Sequence, residues 1–205
     1  MAFLMTHSLL SSWLYCMKED PFADATTEDT SKEDFLRVLR REPTPTTDAM
    51  QNGIDFEDMV TAILQNQPTD PKKSAWLEAA QLVAAIIDGA KLQYVAKGTV
   101  RINGMELLLY GRLDAMKAGK IYDIKFSKSY DRGKYVDSTQ HPMYLELVPE
   151  ATDFTYLVSN GTEVWTERYR RDETPSIFPT IHSFLVWLEN TGLMQEYLYH
   201  WGAKG

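Results

Sequence analysis

The chain has 205 residues and a formal net charge of −8, with 44% hydrophobic and 12% aromatic residues, which suits one domain with a sizeable core and helical additions. Its single cysteine, Cys16, excludes an intramolecular disulfide framework and any zinc or iron–sulfur site built from several cysteines, so a reducing interior is expected. The acidic balance counts against tight, non-specific DNA binding, which usually goes with a basic surface.

Residues 3–17 are apolar, with Ser8, Ser11 and Ser12 available as caps, and read as a helix. No basic segment precedes them, and Thr6, His7 and Ser8 interrupt the apolar run, so they make a poor signal peptide. No apolar stretch approaches the ~20 residues of a membrane span, and a cytoplasmic location is the expectation. Residues 18–31 are polar, contain Pro21 and read as a loop, after which Ser31 can cap a short helix to residue 41. Pro43 and Pro45 break the chain, and Asp48 can cap the next helix.

From Asn52 onward Ile54, Phe56, Met59, Val60, Ile63 and Leu64 recur at helical spacing. Glu57 sits on that apolar stripe, three residues after Ile54 and three before Val60. A carboxylate so placed needs a partner or a metal. Lys97 or Arg112 could serve as the partner, and the adjacent Asp58 could be the ligand instead. After the breaker at 68–71, residues 74–88 form a periodic helix that ends at Gly89.

A meander comes next, with strands over 91–102, 105–116 and 120–126, the first turn being Asn103-Gly104, a type I′ signal. Closing the second turn at Lys117/Lys120 places Asp114 opposite Asp123 and Arg112 opposite Lys125. Directly paired side chains share a face with Cβ atoms roughly 4.5–5.5 Å apart, where like charges repel, so two carboxylates there call for a cation between them. Lys125 lies two residues beyond Asp123 and faces the same side. Residues 127–136 form a basic, aromatic loop; Lys128, Tyr130, Arg132 and Lys134 combine cations with a ring, as phosphate-tracking surfaces do. Asp137 or Ser138 can cap a helix over 139–148, residues 153–159 and 162–170 form a hairpin around Asn160-Gly161, and helices over 175–190 and 193–201 end the chain. Trp187, Tyr197, Tyr199 and Trp201 in those last helices are expected either to pack or to form a partner surface.

Gly53-Ile-Asp-Phe-Glu57, Gly111-Arg-Leu-Asp114, Asp123-Ile-Lys125 and Gln140-His-Pro-Met-Tyr144, in that order, resemble the RecB-like branch of the PD-(D/E)xK nuclease superfamily. The resemblance covers roughly residues 53–160, and Ser8-Leu-Leu-Ser-Ser-Trp13 is weakly similar to the Ser-rich start of such nucleases. It implies an α/β fold with an αβββαβ core and a mixed sheet flanked by helices. The domain would span 1–205, with an N-terminal extension (1–50), the core (53–170) and C-terminal helices (173–202).

The resemblance further implies a metal-dependent DNA nuclease, an exonuclease of recombination, repair or phage DNA processing. Asp114, Asp123, the carbonyl of Ile124 and Glu57 would hold Mg²⁺ or Mn²⁺, hard ions that take oxygen ligands. Lys125 would orient or deprotonate water or stabilise the phosphate, and Gln140 and Tyr144, four apart on one helical face, would position the reacting groups. The alternative is a catalytically inactive module of the same fold that binds nucleic acid or protein. DNA is the expected substrate, and a protein partner at the C-terminal helices or a homo-oligomer is compatible with the sequence.

Overall fold

The computed structural model describes residues 2–18 and 25–203. The fold is α/β: a mixed six-stranded sheet with helices on both faces. Its elements are β1 (Phe3–Thr6), α1 (His7–Cys16), α2 (Ala25–Leu39), α3 (Asp48–Leu64), a 3-10 turn (Pro71–Trp76), α4 (Leu77–Ile87), β2 (Lys91–Ile102), β3 (Met105–Lys117), β4 (Lys120–Phe126), α5 (Gln140–Leu147), β5 (Asp153–Ser159), β6 (Val164–Arg170), α6 (Phe178–Asn190) and α7 (Met194–His200).

β5 lies inside the sheet, parallel to β4 and antiparallel to β6, and all seven of its residues are buried. Burial on both faces explains why its centre, Tyr156-Leu-Val158, is continuously apolar rather than alternating. Phe154, Tyr156 and Val158 join the core made with α1, α2, α5, α6 and α7, whereas Leu157 joins the core made with α3 and α4. Asp123 pairs with Tyr156 and Lys125 with Val158, so both point to the α1/α5 side, while Tyr122, Ile124 and Phe126 pack toward α3 and α4.

The 3–17 helix expected from sequence is corrected at its start. Phe3–Thr6 is a strand that pairs in parallel with Leu107–Tyr110 of β3, and the helix begins only at His7. The switch is local: Thr6 is extended and its Oγ1 accepts the Leu9 amide, an N-cap worth about 1 kcal/mol. The C-terminus straps the same strand, because the Leu4 amide donates to the Trp201 carbonyl and the Tyr197 hydroxyl to the Leu4 carbonyl.

Within the loop expected over 18–31, residues 19–24 lie outside the described residues, but 25–31 are helical and Ser31 is inside α2 rather than its cap. Thr47, not Asp48, caps α3 through the Met50 amide. The sixth strand starts at Val164 rather than 162, and the last two helices start at Phe178 and Met194. Of the C-terminal aromatics, Tyr197 and Trp201 are buried and Trp187 packs on Trp13 and Phe35, leaving only Tyr199 among these four largely exposed. No helix among the described residues is long and apolar enough to cross a membrane.

Candidate active site

β3 is longer than any neighbour and its two edges are used differently. One edge pairs with β2 along nearly its whole length; the other pairs with β1 over Leu107–Tyr110 and with β4 over Ala115–Lys117. Residues 111–114 therefore face a gap in the sheet. A cleft of about 360 Å³ opens there, bounded by the start of α1, by Gly111, Arg112 and Asp114 of β3, by Asp123, Ile124 and Lys125 of β4, by Glu57 of α3, and by Gln140 and Tyr144 of α5. Because the sheet is interrupted, helices from opposite layers reach one cavity. The structure thus brings together Glu57, Asp114, Asp123, Ile124, Lys125, Gln140 and Tyr144.

The expected hairpin register holds near the turn, where Ala118 and Gly119 both have positive φ, but the ladder closes only three pairs and ends at Ala115–Tyr122. Asp114 and Asp123 are not a ladder pair, and neither are Arg112 and Lys125. Instead the strands separate and Oδ2 of Asp114 accepts the Ile124 amide at 2.8 Å, a side chain standing in for the backbone partner. Opening the pair relieves part of the carboxylate repulsion and lets both acids turn into the cleft.

Asp123 is the most deeply held of these acids, at 3% exposure. Its Oδ1 accepts Nε2 of Gln140 at 2.5 Å, which fixes the rotamer from the first residue of α5. Its Oδ2 lies 2.8 Å from Nζ of Lys125 in an ion pair. Burial acts to lower the Lys125 pKa, but Asp123, Asp114 and Glu57 together outweigh it and the pKa is raised. Burial, followed by the charges of Asp123 and Glu57, pushes the Asp114 carboxyl up to about 8. Burial likewise raises Glu57.

Glu57 does not pair with Lys97. Its Oε1 accepts Nε2 of Gln93 at 2.5 Å, and Arg112 contributes only at longer range. Nothing in the residue pattern singles out Gln93. It lies in β2 with φ of +50°, a left-handed conformation rare for a non-glycine residue in a strand. Strain of this kind persists where surrounding contacts hold it in place, and here it coincides with the hydrogen bond to Glu57. His7, at the start of α1, is a second addition. Its ring meets Tyr144 edge-on at 5.4 Å, and burial, aided by Lys125, lowers its pKa to about 4 and keeps it neutral near pH 7.

Tyr144 is 3% exposed and its hydroxyl donates to the Arg112 carbonyl at 3.2 Å, tying α5 to the open edge of β3. The ring packs against Gly111: a Cβ there would sit 2.5 Å from Cε1 and 3.0 Å from Cδ1 of Tyr144. Gly111→Ala is therefore expected to destabilise the protein by about 1–3 kcal/mol, measured by urea denaturation. Tyr144→Phe, which loses only the hydroxyl contact, should cost about 1 kcal/mol or less. A Gly111→Ala protein as stable as the parent would show that ring packing is not what requires glycine here.

His141, next to Gln140, stays outside the cleft; it is buried, stacks on Tyr169 and shares a hydrogen bond with Tyr156. The basic loop is anchored by Glu167, which accepts the Tyr130 hydroxyl at 2.6 Å, the Tyr135 amide at 3.1 Å, the Gly133 amide at 3.2 Å and the Tyr169 hydroxyl. The Tyr130 ring stacks on Trp165, so one face of it is taken. Lys134 folds back to donate to Ser127 Oγ and the Ser129 carbonyl, while Lys128 and Arg132 are exposed.

Among the described residues, no three His, Cys, Asp or Glu side chains converge tightly enough to form a ready metal cage. The donor set nonetheless fits a hard cation: the oxygens are carboxylates, one buried oxygen of Asp123 meets only the Lys125 amine, and Asp114 is raised by burial and by its like-charged neighbours.

These features define an α/β protein whose mixed six-stranded sheet is split by an acidic cleft with one lysine ion-paired inside it. No protein-family model and no curated protein matches the chain. Among solved structures, the fold is similar to that in the crystal structure of SSO0001, with a TM-score of 0.51 and 13% sequence identity, over 95% of this chain and 77% of that one.

Proposed function

We propose that the protein is a metal-dependent nuclease of PD-(D/E)xK type that hydrolyses phosphodiester bonds in DNA. The observation that carries the reading is the meeting in one cleft of Asp114, Asp123, Lys125 and Glu57, with Gln140 bonded to Asp123. Asp114, Asp123 and the Ile124 carbonyl would hold Mg²⁺ or Mn²⁺, with Glu57 extending the site. Such an ion, when bound, lowers the pKa of water and neutralises charge on a phosphoryl oxygen.

The chain's own groups have separable tasks. The charges of Asp123, Asp114 and Glu57 raise the Lys125 pKa; the protonated amine supplies a positive charge toward the developing phosphorane. Gln140 locks Asp123 in one rotamer, and Tyr144 holds the β3 edge that carries Asp114. A binding or assembly module without catalysis is the second reading, favoured by the absence of a tight three-ligand cage among the described residues and by the net charge of −8.

Linear and circular, single- and double-stranded DNA incubated with Mg²⁺, Mn²⁺ or EDTA separates the two. The nuclease reading expects cleavage with either metal and none in EDTA. Absence of cleavage, together with absence of metal binding by calorimetry, would leave the binding module.

A further inference from the structure

A second, smaller groove of about 220 Å³ lies one helical turn along α1 from the cleft. Both spaces are bounded by α1 on one side and by the chain around the start of α5 on the other. Ser8 lines the cleft and Ser11, three residues on, lines the groove; on the opposite wall Gln140 lines the cleft and Ser138 the groove. A hydrogen bond of 2.7 Å between Ser11 Oγ and Thr139 Oγ1 joins α1 to the residue that precedes α5 and fixes the spacing of the two walls. Tyr15, 67% exposed, and Lys18 stand on the α1 side, and Lys134 on the other. Among the described residues, Asp137 is the one carboxylate in the lining.

Three properties identify the occupant. The groove is smaller than a drug-sized pocket, so its occupant must extend beyond it, as one strand of a polynucleotide does. Tyr15 presents an exposed aromatic ring, which stacks on any base without reading its edges. Lys18 and Lys134 line the groove and supply positive charge for phosphates, and Lys134 is tethered through Ser127 Oγ and the Ser129 carbonyl within the loop that Glu167 anchors. We propose that this groove is a track for single-stranded polynucleotide, guiding one strand along α1 into or out of the cleft. The assignment rests on the nuclease reading for its direction, but the binding it predicts does not need catalysis.

The test is fluorescence anisotropy in EDTA with a labelled oligothymidylate of about 16 nucleotides and a blunt duplex of equal length. The wild-type protein should bind the single strand more tightly than the duplex. Tyr15→Ala should weaken single-strand binding about tenfold. Lys18→Gln with Lys134→Gln should lower the slope of log K against log salt by about 1.4, two phosphate contacts at about 0.7 each. Lys18→Gln alone should lower it by about half as much, which guards against a loosened loop in the double variant. Unchanged affinity and salt slope in these variants, or tighter binding of the duplex, would overturn the track.

Hydrolysis of bis-p-nitrophenyl phosphate, too small to reach the groove, keeps the two proposals apart. Wild-type hydrolysis with groove variants that still bind normally sinks the track alone. Groove-dependent binding without any hydrolysis sinks the nuclease reading and leaves the track standing.

Discussion

Asp123→Asn is expected to lower kcat on the order of 10³-fold or more while leaving the fold intact. The substitution keeps the volume of a side chain that is only 4% exposed, and the new carboxamide oxygen can still accept Nε2 of Gln140. What disappears is the negative charge, which both balances Lys125 and is needed by a hard cation. Gln140→Leu provides the contrast: the charge remains and only its orientation is released, so a loss of about 10–100-fold, of the kind seen for outer partners of metal ligands, is expected. Steady-state rates on linear DNA at saturating Mg²⁺, with circular dichroism to confirm folding, decide between these. An Asp123→Asn protein that retains even a tenth of wild-type kcat would remove Asp123 from the chemistry, whatever the fate of Gln140.

The parts of this site that sequence could place were those carried by local pattern. The strands bounding 91–126 were legible because Asn103-Gly104 and Ala118-Gly119 supply the positive φ angles that tight hairpin turns require. Glu57 was legible because a charge on an apolar helical stripe is costly by itself. The strand at Phe3–Thr6 was not, since a four-residue apolar run carries no periodicity of its own and its partner lies about a hundred residues away in β3. The early start of α2 escaped because threonine, aspartate and glutamate signal caps and turns as readily as a first helical turn. The gap in the sheet was the largest omission. It arises from two strands sharing one edge of β3, a tertiary arrangement that leaves no mark in the local sequence. Gln93 and His7 depend on it: neither residue type is unusual where it stands, and each acquires a role only once Glu57 and Tyr144 are brought alongside.

The electrostatics of the gap lead to the second large effect, a stability that depends on pH and on metal together. In the metal-free protein the Asp114 carboxyl titrates at about 8, against an unfolded value near 3.8. Below pH 3.8 both states hold the proton and the contribution of this group to stability is complete. Between the two values the folded state binds the extra proton, so stability falls with rising pH, at no more than about 1.4 kcal/mol per pH unit. Above about pH 8 the loss is complete.

His7 and His141, both lowered to about 4, act in the opposite sense, because up to pH 6.5 it is the unfolded chain that binds their protons. The window from pH 6.5 to about 8 therefore isolates Asp114 from the two histidines. In EDTA the wild-type Tm should fall across this window, and Asp114→Asn should flatten the curve and exceed the wild type at its upper end. The asparagine oxygen can still accept the Ile124 amide, so the hydrogen bond at 2.8 Å survives while the charge does not. Mg²⁺ should narrow the difference. At roughly a hundredfold excess over Kd it stabilises the wild type by about 2.7 kcal/mol, whereas the asparagine variant gains little. Coincident wild-type and Asp114→Asn curves, with and without Mg²⁺, would mean that Asp114 neither carries a strained charge nor meets a cation. A wild-type curve raised by Mg²⁺ beside an unmoved Asp114→Asn curve, by contrast, would show that the acidic cluster which weakens the metal-free fold meets an ion.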